Sequence, residues 1–157
     1  EDINYSADGG LYAELIQNRD FEYDPSDREG DKNWNSTHSW TLKGDKTTFT
    51  INTTDPIHAN NPHYAVLNVE RPGAALENTG FDGIALNVGE KYDFSIFARV
   101  PQGQSNKLQV RLVDGEGNIC GETSLTVSSR QWKTYKTVFV CWIGCIKSSI
   151  YFLIKDP

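Results

Sequence analysis

Two tryptophans stand among amides and hydroxyls in Asn33-Trp-Asn-Ser-Thr-His-Ser-Trp40. A saccharide ring has an apolar face of C–H groups and a rim of hydroxyls, so it is recognised by aromatic platforms next to planar hydrogen-bonding side chains. Trp34 is the first platform candidate, with His38 beside it; the competing reading is a loop packed over the edge of a fold. Trp40 leads directly into a strand-like run, which also suits a core position. Asn60-Asn-Pro-His-Tyr64 offers a second rim, in which Asn60, Asn61 and His63 flank the ring of Tyr64, although two prolines nearby also suit a stiffened turn. Phe97, Arg99, Gln109 and Arg111 fall at alternate positions of two strand-like runs. They would share one outward face with Ser95 if those strands pair, and the alternative is an arginine-lined surface matched by acids. Trp132 reads as a structural cover.

The same residues lack the patterns of an enzyme. A retaining glycosidase needs two carboxyl groups about 5 to 5.5 Å apart, and most of the 21 acids lie in hydrophilic, turn-like stretches such as 24–31. A catalytic β/α barrel needs roughly 250 residues, more than the 157 present. His38, His58 and His63 lack the helical spacing of a zinc hydrolase, and neither a nucleophile elbow nor a phosphate-binding glycine loop occurs. The three cysteines, Cys120, Cys141 and Cys145, are an odd number, which excludes complete pairing within the chain, and their spacing does not suit zinc.

Charge and length narrow the class further. Lys and Arg total 15 against 21 Asp and Glu, and the net charge of −6 repels a phosphate backbone, so no nucleic-acid partner is expected. No run reaches the roughly 18 to 20 apolar residues of a membrane helix, so no membrane partner is expected either. Beginning at Glu1 without a basic, apolar leader, the chain reads as already trimmed. One domain is expected, closed by the 11% of aromatic residues and by β-branched runs.

The elements that must position these groups are nearly all strands. Leu11 with Leu15, and Tyr12 with Ile16, have helical spacing and predict a short N-terminal helical turn. From Asn18 onward, short alternating runs are separated by Gly, Pro, Asn and Asp. Phe49 and Ile51 alternate with threonines; Ala65, Leu67 and Val69 share a side; Phe94, Ile96 and Ala98 share another; Leu108, Val110 and Leu112 do the same. Asp114-Gly-Glu-Gly-Asn118 predicts a hairpin turn, and 55–62, with its two prolines, predicts a loop. The pattern predicts an all-β fold, a jelly-roll sandwich of two antiparallel sheets.

The opening Glu1 to Glu22, with Ile-Asn-Tyr-Ser-Ala-Asp-Gly-Gly-Leu-Tyr-Ala-Glu-Leu-Ile-Gln-Asn-Arg-Asp-Phe between Asp2 and Glu22, resembles the N-terminal strand and loop of family 51 α-L-arabinofuranosidases. From about Leu15 the chain resembles carbohydrate-binding modules of families 4, 9 and 22, through Asn18-Arg-Asp-Phe-Glu22, Trp40, Tyr92-Asp-Phe-Ser-Ile-Phe-Ala-Arg99 and Trp132-Lys-Thr-Tyr135. The resemblance implies a fringe of the parent catalytic barrel over 1–14 and a binding sandwich over 15–157 that lacks its last strand. It implies that Glu1 belongs to the parent's arabinose pocket, while the catalytic carboxylates lie elsewhere in the parent. It further implies a glycan cleft on a concave face, plant cell-wall polysaccharide such as arabinan or arabinoxylan as ligand, and the parent's barrel as partner. A secreted, periplasmic or cell-surface location follows from the same likeness, with no cofactor required and a structural calcium ion near Glu22. The alternative is an insert that shapes the parent's active-site mouth without sugar affinity.

Overall fold

The computed structural model describes residues 15–154 in full; before them it describes only the backbone of β1 (Asn4–Tyr5) and β2 (Leu11–Tyr12), which pair antiparallel. The elements then follow as β3 (Trp40–Lys43), β4 (Thr47–Asn52), β5 (Tyr64–Val69), β6 (Ala75–Asn78), β7 (Ile84–Leu86), β8 (Lys91–Ala98), β9 (Asn106–Asp114), β10 (Ile119–Val127), β11 (Lys133–Val140) and β12 (Cys145–Ile154). The expected all-β sandwich is present. The helical turn is not where the sequence placed it: Leu11 and Tyr12 are extended, and the helical element of the described residues is a single 3₁₀ turn, Pro25–Arg28. That turn is started by Asp24, whose carboxylate accepts from Ser26 N at 2.8 Å, with a proline at its first position. Capping chemistry decided its location, where the i, i+4 spacing of four apolar residues did not.

One layer is a six-stranded antiparallel sheet in the order β10-β9-β12-β6-β3, with β7 also paired to β12. The facing layer consists of two separate hairpin-like pairs, β4 with β5 and β11 with β8. Alternation explains the layering. In β9, Leu108, Val110 and Leu112 are buried; in β8, Tyr92, Phe94 and Ile96 are partly buried and Asp93, Ser95 and Phe97 are exposed. A run of rings crosses the interior from Phe21 to Trp40 (5.0 Å), Trp40 to Phe152 (5.7 Å), Phe152 to Phe94 (5.9 Å) and Phe94 to Phe139 (5.9 Å). Burial of such side chains supplies most of the driving force, at about 25 cal/mol per Å² of apolar surface.

The layers close on one another where β10 meets β11, with Thr123 Oγ1 2.8 Å from Thr137 Oγ1. The predicted hairpin turn lies between β9 and β10: Asp114 N donates to Asn118 O at 2.9 Å, and Asp114 accepts from the backbone of Glu116 and Asn118. Hydrogen bonding from the Asn118 side chain, then from its backbone, holds the Asp114 carboxyl below the usual range. Gly80 marks a different constraint, since a Cβ there would stand 2.7 Å from Leu15 O with φ at +63°.

Candidate functional site

The alternation that sends Leu108, Val110 and Leu112 inward leaves Gln109 and Arg111 on the outer face of the six-stranded sheet. Register then fixes their neighbours. Thr41 pairs with Glu77, Glu77 with Tyr151, Tyr151 with Arg111, and Arg111 with Glu122, so one polar row runs across five strands. Its members are already linked. Lys43 Nζ lies 2.7 Å from Glu77 Oε2 and donates to Tyr151 Oη at 3.1 Å; Tyr151 Oη donates to Glu77 Oε1 at 2.9 Å; Arg111 Nε donates to Glu122 Oε2 at 2.6 Å. Beside this row, Gln109 pairs with Leu153 and Ser124.

Two members of this face lie below the surface. Glu77 is 8% exposed and Gln109 is 6% exposed, although both point away from the core. Burial alone would raise the Glu77 carboxyl, but hydrogen bonds from Lys43, Tyr151 and Ser149 overcome it and hold the group below the usual carboxylate range. The hydrogen bonds to Glu77 and Tyr151 raise the Lys43 ammonium above the ordinary lysine value. Gln109 Oε1 is the exception: it is buried and accepts no hydrogen bond. An orphan acceptor of this kind costs about 1 to 3 kcal/mol.

Phe97 and Arg99, expected beside Gln109 and Arg111, lie on the other side of the molecule. β8 pairs with β11 and β9 pairs with β10 and β12, so the expected joint face does not form. The connection from Val100 to Ser105 carries the chain from one layer to the other. On that far face Phe97 is 58% exposed, and a shallow depression of about 380 Å³ is lined by Asp93, Ser95, Lys136 and Val138 with Phe94 and Thr137. Arg99 is already committed: it pairs with Asp55, donates to Tyr64 Oη at 3.2 Å and Thr54 O at 3.3 Å, and lies 4.6 Å over the ring of Trp132. Trp132 in turn donates from Nε1 to Asp55 O at 3.0 Å and meets Tyr64 edge-on at 5.0 Å.

The remaining candidates occupy loops, apart from Trp40 at the start of β3. Trp34 is half-buried, stacked on Tyr23 at 4.2 Å and 13°, with the Arg28 guanidinium 4.7 Å from its ring and His38 at 4.7 Å. Trp40 packs in the interior and donates from Nε1 to Asn18 O at 2.8 Å. Asn18, 3% exposed, organises the loop by donating to the carbonyls of Asn35, Ser36 and His38. Asn60 and Asn61 form a tight turn on His58, with Asn61 N donating to His58 O at 3.1 Å, and His63 lies next to them. Glu1 lies outside the described residues.

Both oxygens of Glu22 face His63, at 2.8 Å from its backbone N and 2.5 Å from its Nδ1. Calcium takes six to eight oxygen ligands. Among the described residues no group of three or more His, Cys, Asp or Glu is placed to hold a metal ion. Among the described residues, too, no helix is long and apolar enough to cross a membrane.

Sequence reasoning named Gln109 and Arg111 but missed Lys43, Glu77, Tyr151 and Glu122. The available signal was position in the alternation: Tyr151, for one, is the amphipathic residue between inward Ile150 and Phe152. Which strands stand beside β9 was the lacking information.

Comparison with known proteins gives concordant matches. The family model described as a carbohydrate binding domain matches residues 13–152. An extracellular exo-α-L-arabinofuranosidase of Streptomyces chartreusis is 36% identical over 140 residues, covering 88% of this chain and 16% of that protein. A probable α-L-arabinofuranosidase A of Aspergillus terreus is 32% identical over 133 residues, covering 82% of this chain and 19% of that protein. The chain therefore spans less than a fifth of these curated relatives. Among solved structures, an arabinose-bound GH51 α-L-arabinofuranosidase matches with a TM-score of 0.77 at 24% identity, over 99% of this chain and 25% of that one, a likeness of fold.

Proposed function

The chain belongs to the carbohydrate-binding domain family, and from that premise we propose that it holds a saccharide on the outer face of the six-stranded sheet. The observation that carries this reading is the row of charged and hydroxyl groups that register lines up across five strands. The free N–H groups of Arg111 and Lys43 donate to sugar oxygens, Glu77 and Glu122 accept, and the ring of Tyr151 offers an apolar surface. A line of groups across five strands suits an extended chain of sugars better than a single ring.

We further propose that the ligand is an arabinose-containing polysaccharide, arabinan or arabinoxylan, and that the larger protein is a secreted α-L-arabinofuranosidase. The names of the two curated relatives support this. In this reading the sandwich has no catalytic role, residues 1–14 belong to the fringe of the catalytic barrel, and Glu1 belongs to its sugar pocket. The second reading, an insert without sugar affinity, draws support from the prior engagement of Trp34, Tyr64 and Trp132 by their own neighbours.

Isothermal titration with oligosaccharides of arabinan, arabinoxylan and xylan separates the two. The proposal predicts heat with arabinose-containing chains and its loss in Arg111→Ala. Absence of heat with every glycan favours the insert, and full binding by Arg111→Ala moves the site elsewhere.

A further inference from the structure

The odd cysteine count conceals a pair. Cys120 lies at the bulge of β10, between Ile119 and Gly121, and Cys145 opens β12 opposite Leu86. Their Sγ atoms are 3.5 Å apart. Cys141, just past β11, turns its thiol to Ile143 O at 3.0 Å instead. Cys120 and Cys141 are fully buried, while Cys145 is partly exposed.

We propose that Cys120 and Cys145 form a disulfide by exchange with a low-molecular-weight disulfide, leaving Cys141 as the thiol. An S–S bond is about 2.05 Å long, so the two sulfurs must approach by about 1.5 Å, a shift within the reach of side-chain rotation at a bulge. Nothing in this inference depends on the saccharide reading.

The order of events follows from access. Cys145, the member of the pair that solvent reaches, attacks the disulfide as thiolate, forms a mixed disulfide and releases one equivalent of thiol. Cys120 then gives up its proton and attacks Cys145 Sγ; the S–S bond to the small molecule breaks, and the second thiol leaves with a proton. In balance, two protein thiols and one small disulfide become one protein disulfide and two small thiols. Burial, aided by the neighbouring Cys145, pushes the Cys120 thiol up to about 12, so the second step is the slow one and quickens as pH rises.

The cross-link would tie β10 to β12 across the end of β9 and enclose β11. Glu122, a member of the polar row, lies two residues beyond Cys120, so the bond also anchors one end of that row.

The test is to incubate the chain with oxidised glutathione, trap remaining thiols with iodoacetamide under denaturing conditions, and map peptides without reduction. The expected result is a Cys120–Cys145 linked peptide, a mass lower by two hydrogens before alkylation, and alkylation at Cys141 alone. Reduction with dithiothreitol should then lower Tm on the order of 10 °C. Cys141→Ser should retain the cross-link and Cys145→Ser should abolish it. Three alkylated thiols, a link through Cys141, or a glutathione adduct that stays on Cys145 would each overturn the proposal. Mapping the unsubstituted chain keeps the test independent of whether a substituted chain folds.

Discussion

The two outer faces of the sandwich arise from the same alternation of side chains, yet they serve different ends. On the six-stranded sheet the strands are hydrogen-bonded neighbours throughout, so outward residues from Thr41 to Glu122 stand in one line. On the opposite layer the β4–β5 and β8–β11 pairs do not join. Their outward residues, Thr48, Thr50, Asn68, Ser95, Phe97 and Lys136 among them, are exposed. There the strongest polar group, Arg99, is spent on bridging the gap between the pairs through Asp55, Tyr64 and Trp132. A continuous ladder sets functional groups in a row, linked to one another, whereas an interrupted layer uses its strongest one to join its two halves.

Substitutions on the two faces should therefore separate binding from stability. Arg111→Ala is expected to weaken oligosaccharide binding by tenfold to a hundredfold, equivalent to about 1.4 to 2.8 kcal/mol; Phe97→Ala on the other face should leave titration heats unchanged. Arg99→Ala should do the reverse, lowering stability in urea by about 2 kcal/mol through lost hydrogen bonds and ring contacts while sparing affinity. If Arg99→Ala instead abolished binding with its stability intact, the division between the faces would fail.

Gln109→Met sharpens the contrast at one position. It removes a buried acceptor that has no partner and keeps similar volume, so the free protein should gain about 1 kcal/mol while sugar affinity changes little. A loss of stability in the denaturant curve would mean that Gln109 Oε1 is satisfied in the free protein.

The smallest expected effect is on pH dependence. Glu77 is lowered in the folded state, so its stabilising contribution is full above the ordinary carboxylate range and is lost as pH falls through the lowered value. Lys43 is raised, so its contribution is full below the ordinary lysine value and is lost as pH rises through the raised one. Glu77→Gln should flatten the acid limb of a Tm-against-pH curve. Replacing Asp93 on the opposite face should leave that limb unaltered.

The strands and the one hairpin turn were legible because periodicity and turn chemistry are local: Leu108 to Val113 carries its inward and outward sides in its own order. The site was half legible for the same reason. Gln109 and Arg111 could be assigned to an outward face, but their partners Tyr151 and Glu77 come from distant parts of the chain, and only strand order brings them together. The condition that the strands of Phe97 and Gln109 pair is not met, since the short connection at 100–105 crosses between layers. Trp34 was recognisable as an aromatic among amides, but its stacking on Tyr23 depends on the Asn18 hydrogen bonds that shape the loop. The Cys120–Cys145 approach was hidden for a similar reason, because β9 stands between the strands that carry the two thiols.

Backbone amide shifts followed by ¹H–¹⁵N NMR during titration with an arabinan oligosaccharide test the central claim most directly. The account predicts that the largest changes fall on β9, β12, β6 and β10, centred on Gln109, Arg111, Tyr151, Glu77 and Glu122. Changes centred on Asp93, Phe97 and Lys136, or on the Trp34 loop, with the six-stranded sheet silent, would contradict it.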